Sequence, residues 1–279
     1  MKYPILSSAL AGILWGTAGF FIRNLSGLNS IEIGWYRFFI GFIFLSLIVL
    51  ISGYKIRPKK YKLLISNGLL ISIWLPIYVG SLSLGAKLGN AAFLLDTGYV
   101  FSVLFSWIFL NEQVERKTAL ILLVSIVGVV LILKPLTLFQ SFAEVLALVS
   151  GIIFGFNLIV TRKTQQYHDS MTTIFYLFLI PSIVLFLPTI YSFDTPSLNQ
   201  MFYIIFLGVL SGAVPNFLFT SSLKNLKTFE AGIPALLEPV TASIIGWIVF
   251  SEILDVFSIL GGALIIGSAF YLSFLKSRK

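Results

Sequence analysis

Twenty-two consecutive residues, Met201 to Ser222, carry no charge, and nine further stretches of similar character fill most of the chain. A backbone in hydrocarbon must satisfy its own N–H and C=O groups, so runs of this kind leave only two solutions, helices or a closed barrel. The runs are continuous rather than alternating, which selects helices. A span needs about 20 mostly apolar residues to cross a core of about 30 Å. Ten segments qualify: Tyr3–Ile22, Ile31–Ile51, Leu63–Leu84, Ala91–Leu110, Thr118–Leu133, Phe142–Val160, Met171–Ile190, Met201–Ser222, Ala231–Phe250 and Val256–Leu275, the fifth being short. The first lacks a small-residue cleavage site and is long enough to span, so it reads as a retained helix rather than a signal peptide. At 58% hydrophobic and 11% charged residues, with a mean hydropathy of +0.99, the chain lies far from the soluble range of about 45–50% apolar and about 25% charged.

The net charge of +8 suggests an acidic partner until its distribution is considered. With the N-terminus in the cytoplasm, 15 of the 19 Lys and Arg residues fall on the cytoplasmic side, including Lys55, Arg57, Lys59, Lys60, Lys62, Arg162, Lys163 and Lys224. Arg23, Lys87 and Lys134 fall outside, and Arg37 lies within a span. This is the positive-inside pattern, which explains the basic character without nucleic acid. The reading is therefore a multi-pass protein of the cell membrane with both termini cytoplasmic. The loops are short, and none has room for a soluble catalytic or nucleotide-binding domain. With no cysteine there is neither a disulfide framework nor a Cys metal site.

The chain repeats itself after about 139 residues. Gly12 and Gly16 recur as Gly151 and Gly155, Trp15-Gly16 as Phe154-Gly155, Pro76 as Pro215 and Ser83-Leu84 as Ser222-Leu223; after a one-residue slip, Asn111-Glu112 recurs as Ser251-Glu252. Each copy, residues 1–137 and 138–279, holds five helices. An odd number of spans makes the second copy enter from the opposite side. The expected architecture is an all-α bundle of ten transmembrane helices in two inverted five-helix repeats, an arrangement suited to alternating access about a site near the midplane.

The Trp15-Gly16 pair, Arg37 within Trp35-Tyr36-Arg37-Phe38, Ser83-Leu84, the Asn111-Glu112 turn, Glu238-Pro239-Val240 and the Ser251-Glu252 turn together resemble the EamA-type drug/metabolite transporters over essentially the whole chain. The resemblance implies a secondary carrier of small metabolites, often an exporter of amino acids or related solutes, and makes Arg37 a structural residue.

Ionisable groups inside a bilayer are costly and mark candidate pathways. Asp96 and Glu238 are the candidate solute-binding acids, able to hold a cationic group or a coupling proton. Arg37 and Asp96 both lie roughly 8 to 9 Å into the outer half, so a contact between them is geometrically open. Glu32, five residues before Arg37, is turned away from it. Among the aromatics, Trp15, Trp74, Tyr78 and Tyr99 lie deep enough to line a solute cavity, with Asn157 and Asn216 as polar handles. Gly12, Gly16, Gly151 and Gly155 have the small-xxx-small spacing of closely packed helices, and would serve as a rocking contact between halves if they moved. Pro76 and Pro215 are matched bends or hinges. His168, the only histidine, reads as a solvated loop residue. The partners expected are a small-molecule solute, the lipid bilayer and a proton as coupling ion; no cofactor or metal is implied, and the oligomeric state is unread. A passive facilitator is the nearest alternative. A membrane enzyme is less favoured, since no His-Glu-x-x-His motif or second membrane Asp is present.

Overall fold

The structure, a computed structural model, describes residues 3–110, 116–133, 142–226 and 228–277. The Asn111-Glu112 turn, Lys134 and the boundary expected between residues 137 and 138 lie outside these residues.

Fourteen α-helical segments follow in order: α1 (Pro4–Gly16), α2 (Ala18–Arg23), α3 (Ser30–Ser52), α4 (Tyr61–Ser83), α5 (Leu88–Leu110), α6 (Arg116–Leu133), α7 (Phe142–Gln165), α8 (Ser170–Val184), α9 (Phe186–Tyr191), α10 (Leu198–Gly208), α11 (Val214–Ser222), α12 (Thr228–Ala235), α13 (Leu237–Phe250) and α14 (Val256–Ser277). A π-helical turn, Val209–Ala213, joins α10 to α11. There is no strand among the described residues. Seven helical stretches are long and apolar enough to cross a membrane: Pro4–Arg23, Ser30–Ser52, Tyr61–Ser83, Leu88–Phe109, Phe142–Gln165, Ser170–Tyr191 and Leu198–Ser222. Leu237–Phe250 and Val256–Ser268 are shorter apolar helices.

The distribution of side chains is that of a bundle in lipid. Large apolar residues such as Leu50, Ile51, Ile73, Leu187 and Trp247 face outward, whereas Asn67, Ser72, Thr97, Ser150, Asn157 and Ser211 are buried. Small residues let helix backbones approach and hydroxyls return their protons to carbonyls one turn back, as in Ser72 Oγ to Gly68 O at 2.7 Å.

Two helices organise the packing. α1 lies against α11, α12 and α13, all from the second half, and α7 lies against α4 and α5, both from the first. The repeated glycines create both contacts. A Cβ at Gly12 would strike the Ala235 carbonyl, and one at Gly16 would come within 2.7 Å of Glu238 O. On the other side, a Cβ at Gly151 would strike Leu94 O, and one at Gly155 would lie 2.7 Å from Gly98 O. α6 and α14 cross in the same manner through Gly128 and Gly261.

Each end of the bundle is tied by its loops. At the basic end, carrying Lys55 to Lys62, the Lys59 N–H donates to His168 Nε2 at 3.0 Å, and His168 Nδ1 lies 3.0 Å from Thr164 O. His168 is therefore a buried strut between two loops, not the solvated residue expected, because both ring nitrogens find backbone partners. Asp169 caps α8, accepting from the Thr172 N–H at 2.8 Å and from Thr172 Oγ at 2.9 Å. At the opposite end Asn29 and Glu32 form a capping box at the start of α3. Glu32 also accepts the Asp194 N–H at 2.9 Å, so its buried carboxylate joins two loops. The same end holds an ion pair between Arg23 and Glu252 at 2.5 Å. Arg23 Nη2 donates further to Ala86 O at 2.6 Å, Glu252 Oε2 accepts the Leu88 N–H at 2.8 Å, and Lys87 Nζ reaches Ile253 O at 2.7 Å. Phe20 lies beneath this latch, near Tyr203 and Phe250, and the Arg23 guanidinium stands 5.2 Å over the Phe250 ring. Ser251 adopts a left-handed conformation (φ 55°) where α13 ends, which turns Glu252 back toward the bundle.

Candidate functional site

α1 and α7 both contribute to the wall of a central cavity. About 60 Å³ of it is open to the centre of a water molecule, room for about four to six waters at about 10–15 Å³ each. Its wall is largely apolar and aromatic, with Trp15, Phe38, Trp74, Tyr78, Phe154 and Phe219 prominent. Arg37, Asn157, Thr161, Asn216, Thr220 and Glu238 supply its polar groups.

Prolines decide where one of these groups is held. A proline at position i cannot donate to the carbonyl at i−4, so Pro215 leaves Ser211 O without its helical partner. Arg37 Nη2 donates to that carbonyl at 2.7 Å. Thr17, at the break between α1 and α2, meets the Ser211 hydroxyl at 2.7 Å and donates its own hydroxyl to Leu14 O at 2.7 Å only if Ser211 is the donor in that pair. Ser211 sits within the π turn, and π turns are frequent at functional sites. The contact expected between Arg37 and Asp96 is replaced by this one. Among the described residues Arg37 makes no ion pair within 4.0 Å. Its electrostatic neighbours are Glu238 and Tyr78, which share the cavity wall.

Six of the eight residues expected at a solute site line the cavity: Trp15, Trp74, Tyr78, Asn157, Asn216 and Glu238. Trp15 stacks obliquely on Phe219 with ring centroids 5.2 Å apart. Glu238 has no hydrogen-bond partner among the described residues. Asp96 and Tyr99 stand behind the wall. Tyr99 packs against Phe154 and Phe219 at 5.7 and 6.4 Å, and its hydroxyl has no partner. Asp96 is 1% exposed, and neither carboxylate oxygen has a hydrogen-bond partner. Glu238 is its charged neighbour.

Asn157 is not a free handle. Its Oδ1 accepts from Trp74 Nε1 at 3.2 Å and its Nδ2 donates to Asn67 Oδ1 at 2.6 Å, while Thr161 Oγ donates to the same Asn67 oxygen at 2.9 Å. Asn67 is the centre of this network and was missed in the sequence, where its apolar context on α4 gave no signal beyond one buried amide. Asn216 donates to Gly212 O at 2.9 Å within its own stretch of helix. Pro76 and Pro215 both sit inside the bundle, in α4 and at the start of α11.

An all-helical bundle with an apolar exterior and a central amphipathic cavity lined from both halves is an architecture that suits a membrane transporter. A model of the EamA-like transporter family matches residues 2–134 and again 141–274, and the chain belongs to that family. It is 29% identical to an uncharacterized transporter of Archaeoglobus fulgidus, over 95% of this chain and 94% of the relative. It is 25% identical to the pseudopaline exporter CntI of Pseudomonas aeruginosa, over 99% and 98% respectively. An S-adenosylmethionine uptake transporter of Rickettsia bellii is 22% identical over 90% of this chain and 86% of its own. A solved crystal structure shares the fold with a TM-score of 0.73 at 15% identity, covering 100% of this chain and 99% of that one. Family and relatives alike are transporters and not enzymes.

Proposed function

We propose that the protein is a secondary transporter that exports a small organic metabolite, an amino acid or related solute, across the cytoplasmic membrane by alternating access. Its ten helices form two inverted five-helix repeats, residues 1–137 and 138–279, with both termini in the cytoplasm. One observation carries this reading: the first long helix of each half is inserted between the third and fourth spans of the other, α1 against α11 to α13 and α7 against α4 and α5. Such an exchange is what a pseudo-two-fold axis in the membrane plane produces. The family model matching the chain twice supports the same division. The basic end is the cytoplasmic end by the positive-inside rule. The Arg23–Glu252 latch then closes the outer face, making this the inward-facing conformation.

Trp15, Trp74, Tyr78, Asn216 and Glu238 form the solute-binding wall, and Arg37 fixes the π turn beside it. Asp96 and Glu238 are the coupling-proton sites, since both are buried carboxylates and Asp96 lacks any donor in this conformation. Reconstituted into proteoliposomes, the protein should show saturable counterflow of at least one member of a metabolite panel, with efflux driven by an inward proton gradient. Flux that neither saturates nor exchanges would sink the carrier reading in favour of a passive facilitator. Unchanged proton-driven flux in both Asp96→Asn and Glu238→Gln would remove these acids from coupling.

A further inference from the structure

Below the central cavity the bundle holds a second, polar one of about 610 Å³ at its basic end. It is bordered by Arg162, Gln165, Gln166, His168, Asp169 and the 223–226 turn. We propose that this vestibule receives the oxyanion of the transported solute, a carboxylate or phosphate, between Arg162 and Lys224, so that the solute is anionic. This rests on the transporter reading above.

The two cavities lie on the same pair of helices. Thr161 of α7 and Thr220 of α11 line the central cavity; Gln165, one turn further along α7, and Lys224, in the turn that follows α11, line the vestibule. Arg162 directly follows Thr161 on α7, about 1.5 Å further along the axis, and Lys224 follows Thr220 by four residues, so both cations border the cavity next to the central one. Other basic residues of this end, such as Lys55, Lys60 and Lys62, are exposed in the loop or at the start of α4, as a topology signal requires. Lys224 is likewise exposed and Arg162 half-buried, but both border the vestibule, and neither has a hydrogen-bond or ion-pair partner among the described residues. One acid, Asp169, also borders the vestibule; its carboxylate accepts from Thr172 and Tyr54 and makes no ion pair with either cation. His168 offers the site no free ring nitrogen, since Nε2 accepts the Lys59 N–H and Nδ1 faces Thr164 O. Gln165 also lines the vestibule, its amide buried there without a partner. Two cations bordering one cavity match an oxyanion, for which charge-assisted hydrogen bonds are the strong ones.

The test uses the full-length chain in phosphatidylcholine nanodiscs, with thermal unfolding followed by tryptophan fluorescence at constant ionic strength. Replacing chloride by inorganic phosphate or citrate should raise the midpoint with concentration, as a ligand bound only to the folded state must. The apparent Kd should weaken about tenfold in Arg162→Gln and about tenfold in Lys224→Gln. Arg162→Lys should retain most of the response, and Lys62→Gln all of it. Equal responses in wild type and both Gln variants, or none to either anion in the wild type, would overturn the proposal. So would stabilisation by added phosphatidylglycerol alone, which would give the cations to a lipid headgroup. Saturable flux of neutral or cationic solutes without any anion response would overturn the site and leave the transporter. An anion response without saturable flux would do the reverse.

Discussion

Replacing Glu252 by Gln should release the end of the bundle that the Arg23–Glu252 pair ties, the outer face in the topology proposed above. The pair it makes with Arg23 is only partly screened, the two side chains being 11% and 20% exposed, and each partner makes a second hydrogen bond to backbone across the gap. Hydrogen bonds to charged groups contribute about 1.5–3 kcal/mol when buried; partial exposure places this one near about 1–2 kcal/mol. Gln retains an acceptor for the Leu88 N–H, so the substitution removes the charge and little else. If the latch exists only in the outward-closed state, its loss shifts the equilibrium toward outward-open by about 5- to 30-fold. The chain has no cysteine, so a single reporter can be placed without background. Ala18 suits the purpose, being 3% exposed and part of the central cavity wall. In Ala18→Cys, labelling by a membrane-impermeant maleimide from the outer side should be slow, and adding Glu252→Gln should speed it by the same 5- to 30-fold. Arg23→Gln should behave alike. A rate unchanged within about twofold, in protein that still unfolds cooperatively, would refute the latch as a gate and leave it a structural tie.

Three further outcomes follow from the packing and the loops. Gly151→Val should lower the thermal midpoint by more than Gly53→Ala, because the new side chain meets the Leu94 and Leu95 carbonyls, whereas Gly53 has only its left-handed backbone to strain; overpacking costs about 1–3 kcal/mol, read by tryptophan fluorescence. Asn67→Leu should destabilise by about 1 kcal/mol, since Asn157 Nδ2 and Thr161 Oγ each lose one acceptor while keeping the Asn67 and Asn157 backbone carbonyls, and Asn157→Leu in the same background should then cost less than it does alone. Burial pushes the Asp169 carboxyl up, but hydrogen bonds from Tyr54 and Thr172 outweigh it and hold the group below its ordinary value. A lowered carboxylate contributes stability above the unfolded pKa of about 3.9 and loses it as pH falls through the folded value. Tyr54→Phe should therefore flatten the acid limb of the midpoint-against-pH curve, and an unchanged limb would count against the bond.

The helical bundle was legible because lipid restricts the backbone so severely that apolar length alone locates most helices. The glycine pairs were legible too, since a spacing of four on one helix face states a close approach, though not with whom. Repeat spacing pointed to exchange between halves only once Gly12 met Ala235 and Gly151 met Leu94. Six of the eight expected wall residues reached the cavity through their depth in the helices, a quantity counted from the ends. Rotation about the axis was not readable in the same way, and Asp96 and Tyr99 stand behind the wall for that reason. Arg37, read as structural, does not make the contact with Asp96 that depth alone left open. Its partner is a carbonyl, and the clue was in the chain: Pro215 lies four residues after Ser211. Asn67 and His168 were missed because hydrogen-bond partners distant in sequence leave no trace in local spacing.

The exchange of the first helix also sets an order on biosynthesis. Ser8 gives its proton to Ala231, 223 residues later, and Thr17 meets Ser211, 194 residues later. At about 5–20 residues per second, α1 is made about 10 to 45 s before α12 exists. During that interval its glycine face and hydroxyls have only lipid or a chaperoning insertase against them. α7, by contrast, finds α4 and α5 already in place when it emerges. The two halves are alike in their folded contacts and unlike in their histories: the second assembles onto a finished surface, while the opening helix waits for a partner not yet translated.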